Sequence, residues 1–193
     1  MTSIPRAIPP DQVRQLLSSI NRRTAIGRRD YAILLLLSRL GLRSNEVVTL
    51  ELGDIDWQAG RFSVRGKGGR RTELPLPHDV GKAIAEYLRY GRPRSTSRRV
   101  FLRGIAPIGG LRGQTAIASL IRQSLKRAGI KAPTNGAHQF RHSLATQMLL
   151  RGASLTEIGE VLGHRSPEST KLYARVDLEA LRRLALPWPG GVR

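Results

Sequence analysis

The sequence predicts a mostly α-helical α+β fold with one small antiparallel sheet. Three observations point there. Apolar residues recur at helical spacing over most of the chain, with start and stop signals between the runs. One stretch alone, from Ile55 to Leu76, changes to period two and is broken by Gly-rich turns. The 193 residues show no internal repeat and are enough for one buried core.

Pro9-Pro10-Asp11 opens a first helix, with Val13, Leu16, Leu17 and Ile20 on one face. Arg28 to Leu40 is a second helix, apolar nearly all round and therefore central to the core, and Gly41 ends it. A short helix runs from about Ser44 to Leu50. Ile55-Asp56, Arg61 to Arg65 and Thr72 to Leu76 read as strands. Gln58-Ala59-Gly60 and Gly66-Lys67-Gly68-Gly69 are their turns, with Lys67 at the tip of the second hairpin.

Helix returns at Val80 to Tyr90. A basic loop, Arg92 to Arg99, and a Gly-rich one, Pro107 to Gly113, follow. Ala116 to Ala128 is helical and stops at Gly129. Asn135-Gly136 precedes a helix from Ala137 to Arg151, stopped by Gly152. Ser154-Leu155-Thr156-Glu157 is a capping box, and its helix stops at Gly163. Ser166-Pro167 starts the helix that carries Tyr173. Asp177 to Leu186 forms a last amphipathic helix through Leu178, Leu181 and Leu184, followed by the apolar tail Leu186-Pro187-Trp188-Pro189.

The charge balance is the strongest compositional signal. Lys and Arg number 33 against 14 Asp and Glu, a net charge of +19. Such a field attracts polyanions, nucleic acid first. Cysteine is absent, which excludes disulfides and cysteine zinc sites and fits a cytoplasmic protein. The longest apolar run, Ile33 to Leu37, is far short of the ~20 residues of a membrane span.

Against that background a few side chains stand out. His138, Arg141 and His142 share one helical stretch, with His138 and Arg141 on one face. A zinc site on His138 and His142 is disfavoured, because Gln139 stands where a zinc protease needs Glu and Arg141 repels a cation. Gly66-Lys67-Gly68 is not a P-loop: the glycine spacing, the following Ser or Thr and the following helix are all missing. Glu46, three residues after Arg43, is placed to hold its guanidinium.

Taken in order, Gly41-Leu42-Arg43-Ser44-Asn45-Glu46, the hairpin Lys67, His138-Gln139-Phe140-Arg141-His142, Leu162-Gly163-His164 and Tyr173 resemble the catalytic domain of the tyrosine recombinase, or phage integrase, family. His164 to Tyr173 is nine residues and Arg141 to His164 twenty-three, as that family commonly has. The resemblance runs from about Ile8 to Leu186. Phe140 replaces the usual Leu, and Arg175 stands where many members have His two residues after the tyrosine; neither removes a catalytic group.

The resemblance implies the DNA breaking-rejoining fold with its small three-stranded sheet. It also implies a site-specific recombinase acting through a covalent 3′-phosphotyrosine. Tyr173 would be the nucleophile, Arg43 and Arg141 the phosphate clamps, Lys67 the acid for the leaving oxygen, and His138 and His164 proton-handling groups. Glu46 and His142 would orient them. Neither a metal nor another cofactor is called for. The partner implied is double-stranded DNA, held by a homotetramer. The C-terminal segment either exchanges between protomers or packs on its own chain. Arg70, Arg71, Arg92, Arg94, Arg98 and Arg99 are the candidate phosphate contacts. Family members carry an N-terminal core-binding domain; the expectation here is a single catalytic domain over 1–193 without it. A type IB topoisomerase and a non-catalytic DNA-binding regulator descended from a recombinase are the alternatives.

Overall fold

A computed structural model describes residues 7–66, 69–132 and 134–163. Among these residues the helices are α1 Pro10–Ser18, α2 Ala25–Leu40, α3 Ser44–Thr49, α4 His78–Tyr90, α5 Gly113–Arg127, α6 His138–Leu150 and α7 Leu155–Leu162. Between α3 and α4 lie a 3-10 turn, Leu52–Asp54, and the strands β1 Ile55–Asp56, β2 Arg61–Arg65 and β3 Arg71–Pro75. The expected helical fold with one small sheet is found. The helix expected from Ser166 and the last amphipathic helix lie outside the described residues.

The central helix is α2. Ile33, Leu34, Leu36 and Leu37 are wholly buried, and the helix packs chiefly on α4 and α6, with α1 and α3 beside it. It starts three residues before the expected Arg28, because the Thr24 side chain accepts from the Gly27 N–H at 3.0 Å and caps it. Gly41 ends it in the left-handed region, φ 60°. Burial pushes the Asp30 carboxyl on α2 up, while Arg29 and Arg127 partly oppose that shift. The Asp30–Arg127 contact, 3.6 Å, ties α2 to the end of α5.

The sheet is antiparallel in the order β1-β2-β3. Phe62 and Val64 of β2 point into the core, whereas β3 is an edge strand with only Leu74 half-buried. That edge strand starts at Arg71 rather than Thr72, because pairing of Arg65 with Arg71 and the Gly66 N–H to Arg70 carbonyl bond set the register. Two other helices begin before their expected starts, α4 at His78 and α5 at Gly113. Tyr87 of α4 stacks on Phe101, ring centres 5.6 Å apart, and its hydroxyl accepts from the Leu102 N–H at 3.1 Å.

The joint of α6 and α7 has its own small core of Ala145, Ile158 and Leu162, with Leu144, Met148 and Leu155 against it. The expected capping box starts α7: Ser154 Oγ accepts from the Glu157 N–H, and Glu157 Oε2 accepts from the Ser154 N–H at 2.7 Å. Gly163, φ 59°, ends it. Among the described residues no helix is long and apolar enough to cross a membrane.

Candidate active site

Arg43 stands at the N-cap of α3, two residues beyond the left-handed Gly41, so its backbone is extended between two helices. Glu46, on the first turn of α3 and buried, grips it twice. Oε2 accepts from the Arg43 N–H at 2.8 Å, and Oε1 accepts from Nη1 at 2.9 Å. The first bond completes the helix start, and the second aims the guanidinium. Arg43 remains 40% exposed at its side chain. Its Nη2 reaches the Gly163 carbonyl at 3.5 Å.

Arg141 comes to the same place from the other side. It lies on α6, almost fully buried, and donates to the Gly41 carbonyl at 2.7 Å and to the Leu162 carbonyl. These acceptors are carbonyls at the C-terminal ends of α2 and α7, where helices leave carbonyls without partners. A guanidinium is the side chain best shaped to serve both at once. The two arginines thus meet adjacent carbonyls, Leu162 and Gly163, on the turn that leads directly into His164. Gly41 is required there: a Cβ on it would lie 2.8 Å from Leu162 Cδ2 and 3.2 Å from Leu144 Cδ2.

His138, at the exposed start of α6, and half-buried His142, one turn on, have ring centres 6.4 Å apart. Burial, then the positive charges of His138 and Arg141, hold the His142 pKa below its ordinary 6.5. His142 therefore favours the neutral form. Lys67, His164 and Tyr173 lie outside the described residues. The arms that bracket Lys67 in the sequence are described, down to the Arg65–Arg71 pair.

The candidate phosphate contacts divide on geometry. Arg70, Arg94 and Arg98 are exposed. Arg71 is exposed but faces Asp54 Oδ1 at 3.5 Å. Arg92 turns into its own loop, donating to the carbonyls of Ser97 at 2.6 Å, Arg99 at 2.9 Å and Val100 at 3.2 Å. Arg99 donates to the Thr49 carbonyl and faces Glu51. Glu51 and Asp54 were not singled out from the sequence. The available signal was the pair of acids immediately before the strands in an otherwise basic chain.

Comparison with known proteins shows the family and the fold. The model of the phage integrase family matches residues 6–179. A putative integrase/recombinase of Sinorhizobium fredii, y4rA, is 66% identical over 190 residues, covering 98% of this chain and 46% of that protein. A second from the same organism, y4gC, is 42% identical and covers 97% of each chain. The chain thus spans about half the length of the first relative and nearly all of the second. Among solved structures, the XerH site-specific recombinase bound to palindromic difH substrate in a post-cleavage complex has the same fold. Its TM-score is 0.80 at 23% identity, over 96% of this chain and 54% of that one.

Proposed function

The chain belongs to the phage integrase family, the tyrosine recombinases, and from that we propose that it cleaves and rejoins DNA strands at specific sites through a covalent 3′-phosphotyrosine. The observation that carries this reading is the convergence of Arg43 and Arg141, far apart in sequence, on the Leu162–Gly163 turn. Two guanidiniums beside one turn suit a phosphodiester, whose charge grows in the pentavalent transition state. Preorganised donors of this kind are worth about 10²–10³ in rate each.

In this reading the Tyr173 phenolic oxygen attacks phosphorus and the bond to the 5′-oxygen breaks. The phenol proton passes to His138, and Lys67 supplies the proton that lets the 5′-hydroxyl leave. Arg43, Arg141 and His164 hold the non-bridging oxygens. Glu46 fixes Arg43, and His142, favouring its neutral form, helps to orient the site without adding charge. The phosphotyrosine keeps the bond energy, so a second 5′-hydroxyl reseals the strand by the same steps reversed. The net +19 charge supports double-stranded DNA as partner, with Arg70, Arg71, Arg94 and Arg98 on the phosphates; Arg92 and Arg99 would hold their loop in place instead. A homotetramer with exchanged C-terminal segments, working in the cytoplasm, completes the proposal.

The test uses synthetic nicked duplexes randomised around the break. Wild type should form a denaturant-resistant adduct with a subset of them, and Tyr173→Phe with none. An adduct that persists in Tyr173→Phe would remove the nucleophile from this scheme. Relaxation of supercoiled plasmid without any recombinant product would point to a topoisomerase.

A further inference from the structure

We infer that Asp54, assisted by Glu51, is a positioning residue for departure of the 5′-oxygen, because the two carboxylates hold both arms of the hairpin whose turn carries Lys67. The inference rests on the cleavage chemistry just proposed. Asp54 ends the 3-10 turn, and its side chain is only 4% exposed. Oδ2 accepts from the Glu51 N–H at 3.0 Å. Oδ1 faces Arg71 at 3.5 Å and Arg65 at 3.9 Å. Those two arginines are register partners, the last paired residues of β2 and β3 before the turn. Glu51 adds a second grip, accepting from Arg65 at 3.1 Å and facing Arg99 at 3.4 Å. Arg99 in turn donates to the Thr49 carbonyl at the end of α3.

Burial of Phe62 and Val64 anchors only the inner arm of the hairpin, β2, in the core. The outer strand, β3, is exposed except for half-buried Leu74, so apolar burial does not hold that arm. A buried carboxylate is costly to keep charged unless it is paired, and here the pairs fall on both arms at the base of the turn. Glu51, through Arg99 and the Thr49 carbonyl, connects the hairpin to α3, the helix that presents Arg43. The base of the hairpin and the helix of Arg43 are therefore tied by one chain of polar contacts. A misplacement of about 1 Å at a reacting group costs up to about 10² in rate.

The step affected is specific. As the Tyr173 oxygen bonds to phosphorus, the bond to O5′ breaks and O5′ takes its proton from Lys67. If sulfur replaces that bridging oxygen, the leaving group departs as a thiolate and needs no proton. A defect in placing Lys67 should vanish on sulfur DNA, whereas general damage to the site should not.

The experiment uses duplexes that wild type selects from the randomised nicked pool, each made with oxygen or with sulfur at the 5′ bridge. Single-turnover adduct formation is measured for wild type, Asp54→Asn, Glu51→Gln and Lys67→Ala. Asp79→Asn, which breaks an exposed pair with Arg39 on α4, is the control. Asp54→Asn and Lys67→Ala should each lose about tenfold or more on oxygen DNA and less than about threefold on sulfur DNA, since general-acid help is worth about 10²–10⁴. Asp79→Asn should match wild type on both. Equal losses of Asp54→Asn on both DNAs, with Lys67→Ala still rescued, would overturn the positioning role and leave the cleavage reading standing. Failure of sulfur to rescue Lys67→Ala would remove Lys67 as the acid and the positioning role with it, whereas absence of any wild-type adduct would overturn the cleavage reading itself. If Asp54→Asn does not fold, as judged by thermal unfolding, the same ratio in Glu51→Gln, with its carboxylate 25% exposed, decides the matter.

Discussion

Replacing Glu46 with Gln should separate the two tasks of its carboxylate. Glu46 is 6% exposed and accepts one bond from the Arg43 backbone and one from its guanidinium. Gln keeps an oxygen for the backbone N–H, so the start of α3 survives, but it sets an NH₂ group against the guanidinium. A hydrogen bond to a charged group contributes about 1.5–3 kcal/mol. The Arg43 side chain is 40% exposed, so the freed guanidinium regains water, and the net loss falls to about 1–2 kcal/mol. For a chain of this size each kcal/mol lowers Tm by about 2–4 °C, so Glu46→Gln should melt about 2–8 °C below wild type. Urea unfolding of wild type, Arg43→Ala, Glu46→Gln and the double variant checks this. With Arg43 already removed, Glu46→Gln should cost less than about 0.5 kcal/mol, a coupling near 1 kcal/mol. If Glu46→Gln costs as much without Arg43 as with it, Glu46 serves only the backbone, and the account of how Arg43 is aimed is wrong.

Gly41→Ala should destabilise by about 2 kcal/mol or more in urea unfolding, since a Cβ meets Leu162 and Leu144 and the left-handed backbone itself costs about 1–2 kcal/mol. Acidification should also act through His142. The folded chain resists its protonation, so stability is full above the unfolded pKa near 6.5, falls as pH drops below it, and levels once pH passes the lower folded pKa. Tm measured from pH 7.5 to pH 5 should therefore decline less steeply in His142→Gln than in wild type. Tyr87→Phe takes the acceptor from the buried Leu102 N–H and should cost about 1–3 kcal/mol, read by thermal unfolding.

Helix and strand identities were legible in the sequence because their signals are local. The capping box at Ser154 and Glu157 and the stops at Gly41 and Gly163 mark helix ends by spacing and residue type alone. Starts were less legible. Thr24 caps α2 without the Glu three residues on that would have completed the pattern, and α5 begins at Gly113, a residue that reads as a loop. The pairing of Glu46 with Arg43 was also readable, being a contact three residues apart on one helix start.

By itself the sequence determined which chemistry-bearing side chains this protein owns, and in what order, because those are matters of residue type and short spacing. Only the tertiary structure decided what each cation does. Arg141 ends on the Gly41 and Leu162 carbonyls, and Arg92 and Arg99 are held by carbonyls near their own loop. Arg65 and Arg71 face Glu51 and Asp54. The physical reason is that an arginine's partner here is often a backbone carbonyl or a distant acid. Every residue carries a carbonyl, so nothing in the letters marks the ones that the packing of α2, α6 and α7 will bring within reach.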